Sequence, residues 1–328
     1  MIAASWAMLA PLPDEVLRDV FAAQPGWFAK HPHLTVDRLV AIVNDMRSGG
    51  PPDEEGLRKQ EYEALIAGHP EHDPGDQFVC LPVSMTDPKV GEYIAQVREV
   101  SRLREVTALV SFSRLVPTGP TDPHAAKLSQ MPTDWLPAME VFGEGIFVGL
   151  DPDRLKAWAA KPFVRGRTGK IFSAAATVTL PPTVDAVGLL VHSFAHALMN
   201  ELSLDAGYPV ASLRERIYAV GEQAGVLIYT ATADSAGSLG GLCAQSEPAR
   251  LANVIRSAMR RALWCTSDPV CLESTGSGID NLNLAACHAC MLVPETSCEQ
   301  RNTLLDRALL IGTPDEPDAG FFSELTQT

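Results

Sequence analysis

Along the first third of the chain, apolar residues recur at helical spacing. Leu17, Val20 and Phe21 share one face, and so do Leu39, Val40 and Val43. Ser48-Gly-Gly-Pro-Pro52 interrupts that pattern, and Glu54 to Ala67 predicts a charged amphipathic helix that stops at Gly68. From Gln77 the period shortens. Phe78 to Val83, Thr107 to Leu115 and Val141 to Leu150 are short, β-branched and bounded by turn residues, and they predict strands. Val116 to Pro132, interrupted by prolines, predicts a loop. Asp151 to Ala160 predicts a short helix with Asp151 as its N-cap. After Pro181-Pro182 the strongest helical signal runs from Thr183 to Asp205, where Val187, Leu190, Val191, Phe194, Leu198 and Leu202 repeat at helical spacing before Gly207. Gly225 to Thr230 predicts a buried strand, Glu247 to Trp264 a second strong helix, and Glu299 to Leu310 a closing helix.

This order predicts a mixed α/β protein in three parts. Residues 1–75 form a helical N-terminal region, 76–180 a mixed middle region and 181–328 a C-terminal α/β domain with a cysteine knuckle. The composition is that of a globular protein, with 46% hydrophobic and 20% charged residues. No long apolar run predicts a membrane span, and the N-terminus lacks a basic secretory n-region. The cytosol is therefore the expected compartment. A formal net charge of −14 argues against a general-purpose nucleic-acid binder, because DNA affinity rests largely on neutralising phosphates. A nucleic-acid role then needs a local basic surface or a basic partner.

The cysteines carry the clearest chemistry. Cys80 and Cys243 stand alone. Cys265, Cys271, Cys287, Cys290 and Cys298 fall within 34 residues. In a reducing compartment such a cluster reads as a metal site rather than as disulfides. Cys287-x2-Cys290 is a knuckle that turns two thiolates toward one tetrahedral ion, and further cysteines complete the set. A closed thiolate shell makes the zinc structural. Five candidates leave the choice of four open. His288 lies inside the knuckle and is expected to point away.

Trp264-Cys-Thr-Ser-Asp-Pro-Val-Cys271, Asn283-Leu-Ala-Ala-Cys-His-Ala-Cys290 and Pro294-Glu-Thr-Ser-Cys298 with Leu304-Leu-Asp-Arg307 resemble the DrmB family of DISARM anti-phage proteins. That family ends in a zinc-binding domain shared with MrfA-type DNA-repair helicases. Glu140-Val-Phe-Gly-Glu-Gly-Ile-Phe147, His192-Ser-Phe-Ala-His196 and Tyr229-Thr-Ala-Thr-Ala-Asp-Ser-Ala-Gly-Ser-Leu-Gly-Gly-Leu242 extend the likeness. The resemblance implies a non-enzymatic zinc-binding accessory subunit acting beside a separate helicase subunit, in a system with methyltransferases. Family members are usually about twice this length, with an additional N-terminal region. The resemblance matches Cys287, Cys290 and Cys298 to the knuckle and its downstream ligand. Cys271 is the first choice for the fourth position, with Cys265 next.

Three further constellations carry alternative readings. His192 and His196 have the i, i+4 spacing of a zincin, but Ser193 stands where the general-base Glu belongs. With Asn200 they predict a polar stripe packed on another element, and they carry the alternative function of a metal-dependent hydrolase. Gly237, Gly240 and Gly241 precede a helix, where backbone N–H groups can hold a phosphate. Arg250, Arg256, Arg260 and Arg261 share the polar face of that helix and are candidate DNA contacts. Arg165, Arg167 and Lys170 predict a second basic patch in a glycine-containing loop.

Overall fold

The computed structural model describes residues 6–9, 11–23, 35–47, 54–73, 75–112, 126–129, 135–178, 183–230 and 240–327. The chain divides into two compact units, Met1–Glu61 and Tyr62–Thr328.

The first unit holds α1 (Trp6–Leu9), α2 (Asp14–Ala22), α3 (Val36–Arg47) and the start of α4 (Glu54–Ala67). Its core is Leu9, Leu17, Phe21, Leu39, Val40 and Val43. These include the apolar faces expected from the sequence. Burying two such stripes against each other is what stabilises short helices that are marginal alone.

In the second unit, β1 (Val79–Val83) is followed by α5 (Pro88–Gly91), β2 (Ile94–Ala108), β3 (Ser111–Phe112), β4 (Ala126–Lys127) and β5 (Ala138–Leu150). Then come α6 (Pro152–Ala159), α7 (Pro162–Ala175), α8 (Ala186–Ala206), β6 (Leu213–Tyr218), β7 (Gly225–Thr230), α9 (Pro248–Ala262) and α10 (Ala308–Ile311). Five strands form one antiparallel sheet in the order β1-β2-β5-β7-β6. β5 belongs to the expected middle region and β7 to the expected C-terminal domain, yet they pair from Gly145–Tyr229 to Gly149–Gly225. The expected boundary at residue 180 therefore runs through a single sheet.

Alternation along the central strands makes two cores. Ile146, Val148, Val226 and Ile228 face the main core with α8 and α9, while Phe147, Leu227 and Tyr229 face a smaller one with Leu65 and Tyr218. The sheet is thus covered on both sides, which explains the unbroken apolar run of β7. Close approach of β5 to β7 requires glycine. A Cβ at Gly143 would lie 1.7 Å from the Thr230 carbonyl oxygen, and one at Gly145 would lie 2.8 Å from that of Ile228.

α8 begins at Asp185, whose carboxylate accepts the Gly188 N–H at 2.9 Å, and ends at Gly207 with φ +74°. Its residues from Leu189 to Leu202 are almost all buried, as expected of a helix enclosed on every side.

Candidate metal centre

α9 delivers the first ligand. The helix starts at Pro248 with Glu247 capping Ala249 and Arg250, and its apolar face buries Leu251, Val254, Ile255, Ala258 and Ala262. Cys265 follows its end directly. Asp268 then organises the turn, accepting the Cys265 N–H at 2.9 Å and the Leu272 N–H at 3.2 Å, which brings Cys271 back beside Cys265. The knuckle supplies the other pair. Its turn closes through Cys290 N–H to the Cys287 carbonyl at 3.1 Å and Met291 N–H to the same oxygen at 3.0 Å.

The sulfurs of Cys265, Cys271, Cys287 and Cys290 all lie within 4.8 Å of one another. Cys265–Cys287 is 3.4 Å, and Cys271–Cys290 and Cys287–Cys290 are each 3.7 Å. These separations far exceed a disulfide bond. They approach the edge of about 3.8 Å that a tetrahedron of zinc–sulfur bonds of about 2.3 Å requires. Burial alone would raise the Cys287 thiol, but the Ala289 N–H and the neighbouring thiols outweigh it and bring it down to about 7. Burial pushes Cys271 up to about 11. Two flanking groups fit a thiolate cage. The Ser267 N–H points at the Cys265 sulfur at 3.4 Å. Arg307 is fully buried, donates to the Ala262 carbonyl at 2.7 Å and pairs with Asp268, so a guanidinium charge lies beside an anionic centre. The donor set suits zinc, which would sit fully ligated, without an open position for chemistry.

The structure accommodates both Cys265 and Cys271, where the sequence left a choice between them. It corrects the expected place of Cys298, which lies with His192, His196 and Glu215 in a separate buried group. The expected helix from Glu299 to Leu310 is reduced to α10. Arg301, Asn302 and Leu304 have positive φ, and the Gln300 and Asn302 N–H groups turn onto the Cys298 sulfur at 3.3 and 3.2 Å. A loop that wraps a sulfur in this way cannot continue as a helix.

The two histidines are fully buried, and burial pushes the His192 imidazole below its ordinary range. Ser193 has a framework role: its Oγ accepts the Asp306 N–H at 2.9 Å. Glu215, on β6, was not anticipated. The strand was missed because its alternation is short and its inward position is occupied by a carboxylate.

The expected phosphate cradle is also altered. Gly237 lies outside the described residues. Gly240 has φ +74°, and Gly241 packs against Ala206 and Tyr208. The N–H groups that follow them already hold an internal anion. Glu144 accepts Leu242 N–H at 3.1 Å, Cys243 N–H at 3.2 Å and Tyr208 O–H at 3.0 Å. Burial would raise Glu144, but these donors hold it below its ordinary value.

Of the arginines, Arg250 and Arg260 are exposed on α9. Arg256 is half-buried and pairs with Asp87 at 2.6 Å, and Arg261 pairs with Glu201 at 2.8 Å. The second basic patch is a helix, α7, rather than a loop. Its Pro162 suits the first turn, and Phe163, Val164 and Ile171 pack inward despite Gly166 and Gly169. Arg167 is withdrawn into a bidentate pair with Asp306, with Nη2 to Oδ1 at 2.9 Å.

A four-cysteine cluster in the loops that follow α9 fits a zinc-binding domain, and residues 194–291 match the MrfA Zn-binding domain family. Over 280 residues the chain is 35% identical to the DISARM protein DrmB of Bacillus paralicheniformis (strain ATCC 9945a / NCIMB 11709 / CD-2), an alignment covering 82% of this chain. The chain is a DrmB homologue with an MrfA Zn-binding domain. It spans about half the length of that curated relative, 50% of which is aligned. Among the described residues, no helix is long and apolar enough to cross a membrane.

Proposed function

We propose that this chain is a zinc-stabilised, non-enzymatic accessory subunit of a DNA-targeting anti-phage defence complex. It acts in the cytosol beside a separate helicase subunit and meets DNA as part of that complex. The observation that carries this reading is the DrmB homology over most of the chain, joined to a thiolate centre with no vacant coordination position. DNA contact is assigned to Arg250 and Arg260, because the N–H groups that follow Gly240 and Gly241 are engaged by Glu144. Arg256, the third arginine expected there, is engaged by Asp87 and serves the fold first.

The hydrolase alternative finds less support. His192 and His196 have no exposed surface, and Glu215 and Cys298, also buried, crowd the same group. Co-expression with the helicase subunit of a DISARM system tests the main reading. The two are expected to co-elute through size exclusion. A chain that stays monomeric in the presence of that helicase at micromolar concentration overturns the proposal.

A further inference from the structure

The geometry points to a second metal centre, in which His192 Nε2, His196 Nε2, a Glu215 oxygen and Cys298 Sγ hold a zinc ion. Two of these residues, His192 and Cys298, lie outside the span matched by the MrfA Zn-binding domain. The four candidate ligand atoms lie within 4.8 Å of one another, and all four residues are buried. His192 Nε2 is 3.2 Å from Cys298 Sγ and 3.2 Å from Glu215 Oε1, and His196 Nε2 is 3.5 Å from that same oxygen. Tetrahedral zinc with ordinary bond lengths requires ligand–ligand edges of about 3.3 to 3.6 Å for this donor set.

Hydrogen bonding leaves the group incomplete without a cation. His196 Nδ1 lies 2.9 Å from the Met291 carbonyl, which can only accept, so the ring proton sits on Nδ1. The lone pair on Nε2 then faces the Glu215 carboxylate. His196 Nε2 and Glu215 Oε2 have no hydrogen-bond partner, although both are fully buried. Leaving such atoms unsatisfied is costly. A metal ion bound by His196 Nε2 and by the Glu215 carboxylate would give that imidazole lone pair a partner. The Met291 contact is also the carbonyl support that metal-bound histidines usually have. The Cys298 sulfur accepts two backbone N–H groups, from Gln300 and Asn302, so the loop that follows is folded around this sulfur.

Four protein ligands close the shell, so the role is a clamp. It ties the edge strand β6 to α8 and to the loop after Cys298. It also adjoins the first centre, because Met291 directly follows Cys290.

The test is metal content of the full chain, purified without chelator, with zinc absorption spectroscopy of the same sample. Wild type is expected to hold about two zinc ions per chain. Their averaged shell should contain about two and a half sulfurs and one and a half nitrogen or oxygen ligands per zinc. Cys298→Ser and His196→Gln should each lose about one equivalent and keep an all-sulfur site. One zinc per chain with an all-sulfur shell, or a Cys298→Ser variant that keeps the wild-type complement, overturns the second centre. Should the variants fail to fold, the wild-type spectrum decides alone: a mixed shell supports the site and an all-sulfur shell refutes it. The readout is metal content, so its outcome is independent of whether the chain serves a defence complex.

Discussion

The sulfurs of Cys265, Cys271, Cys287 and Cys290 lie within 4.8 Å of one another, so a zinc ion held by all four would leave none of them expendable. Single replacement of any one by Ser is expected to lose about one zinc per chain, with proteolytic cleavage appearing between residues 266 and 300. Apparent zinc-binding energies of about 10–16 kcal/mol in small zinc domains set the scale of what the fold loses. Full zinc retention in Cys265→Ser or in Cys271→Ser would show that the shell is assembled differently. Glu144 presents a second residue-level case. Its carboxylate is held below its ordinary value of 4.5, so its contribution is fully present above that pH and is lost as pH falls through the folded value. Glu144→Gln replaces an acceptor of three hydrogen bonds by an amide that also donates, and it is expected to cost about 2–4 kcal/mol at neutral pH. Urea unfolding across pH checks this. The gap between wild type and variant should narrow in acid; a gap independent of pH would mean that the charge contributes nothing.

At the scale of elements, legibility followed the physics of each segment. α2, α3, α4, α8, α9, β1, β5 and β7 were readable because one period dominated each of them. Long β2 was seen only at its far end, since its apolar residues Ile94, Val97, Val100, Leu103 and Val106 recur every third residue rather than every second. α7 was hidden by its glycines, and β6 by Glu215. The knuckle was legible from spacing alone. Cys298 was not, because its partners lie on α8 and β6, 106 and 83 residues away in sequence. Spacing rules see ligands that are close along the chain and miss those that the fold assembles. The strand pair β5–β7 carries its own prediction. At Gly143 any side chain collides with the Thr230 backbone, and the only relief is to separate the two strands. Gly143→Ala is expected to destabilise the sheet by about 3 kcal/mol or more, beyond ordinary overpacking. Gly149→Ala, whose Cβ would meet side chains no closer than 3.4 Å, should be far milder. Thermal melts of the two variants, read side by side, check the contrast; equal shifts would contradict it.

The whole molecule is acidic, and under the proposed function that charge decides how it would meet DNA. A net charge of −14 repels phosphate at long range, so the isolated chain is expected to bind DNA weakly even with Arg250 and Arg260 exposed. A basic helicase partner would bring the duplex close enough for those arginines to act, over distances of about 8 Å at physiological salt. Each phosphate contact made in the complex releases counterions and adds about 0.9 to the slope of log affinity against log salt. The double variant Arg250→Ala and Arg260→Ala should therefore weaken DNA binding by the complex and lower that slope by about 1–2. Arg256→Ala should do the reverse. Its guanidinium is held by Asp87 at 2.6 Å, so losing it should cost about 1 kcal/mol of stability or less, with little effect on the salt slope. Filter binding at several salt concentrations, alongside melting of each variant, separates the two roles. A double variant with wild-type affinity and slope would place the DNA path elsewhere on the complex. A lower slope for Arg256→Ala would mean that the arginine leaves Asp87 when DNA arrives.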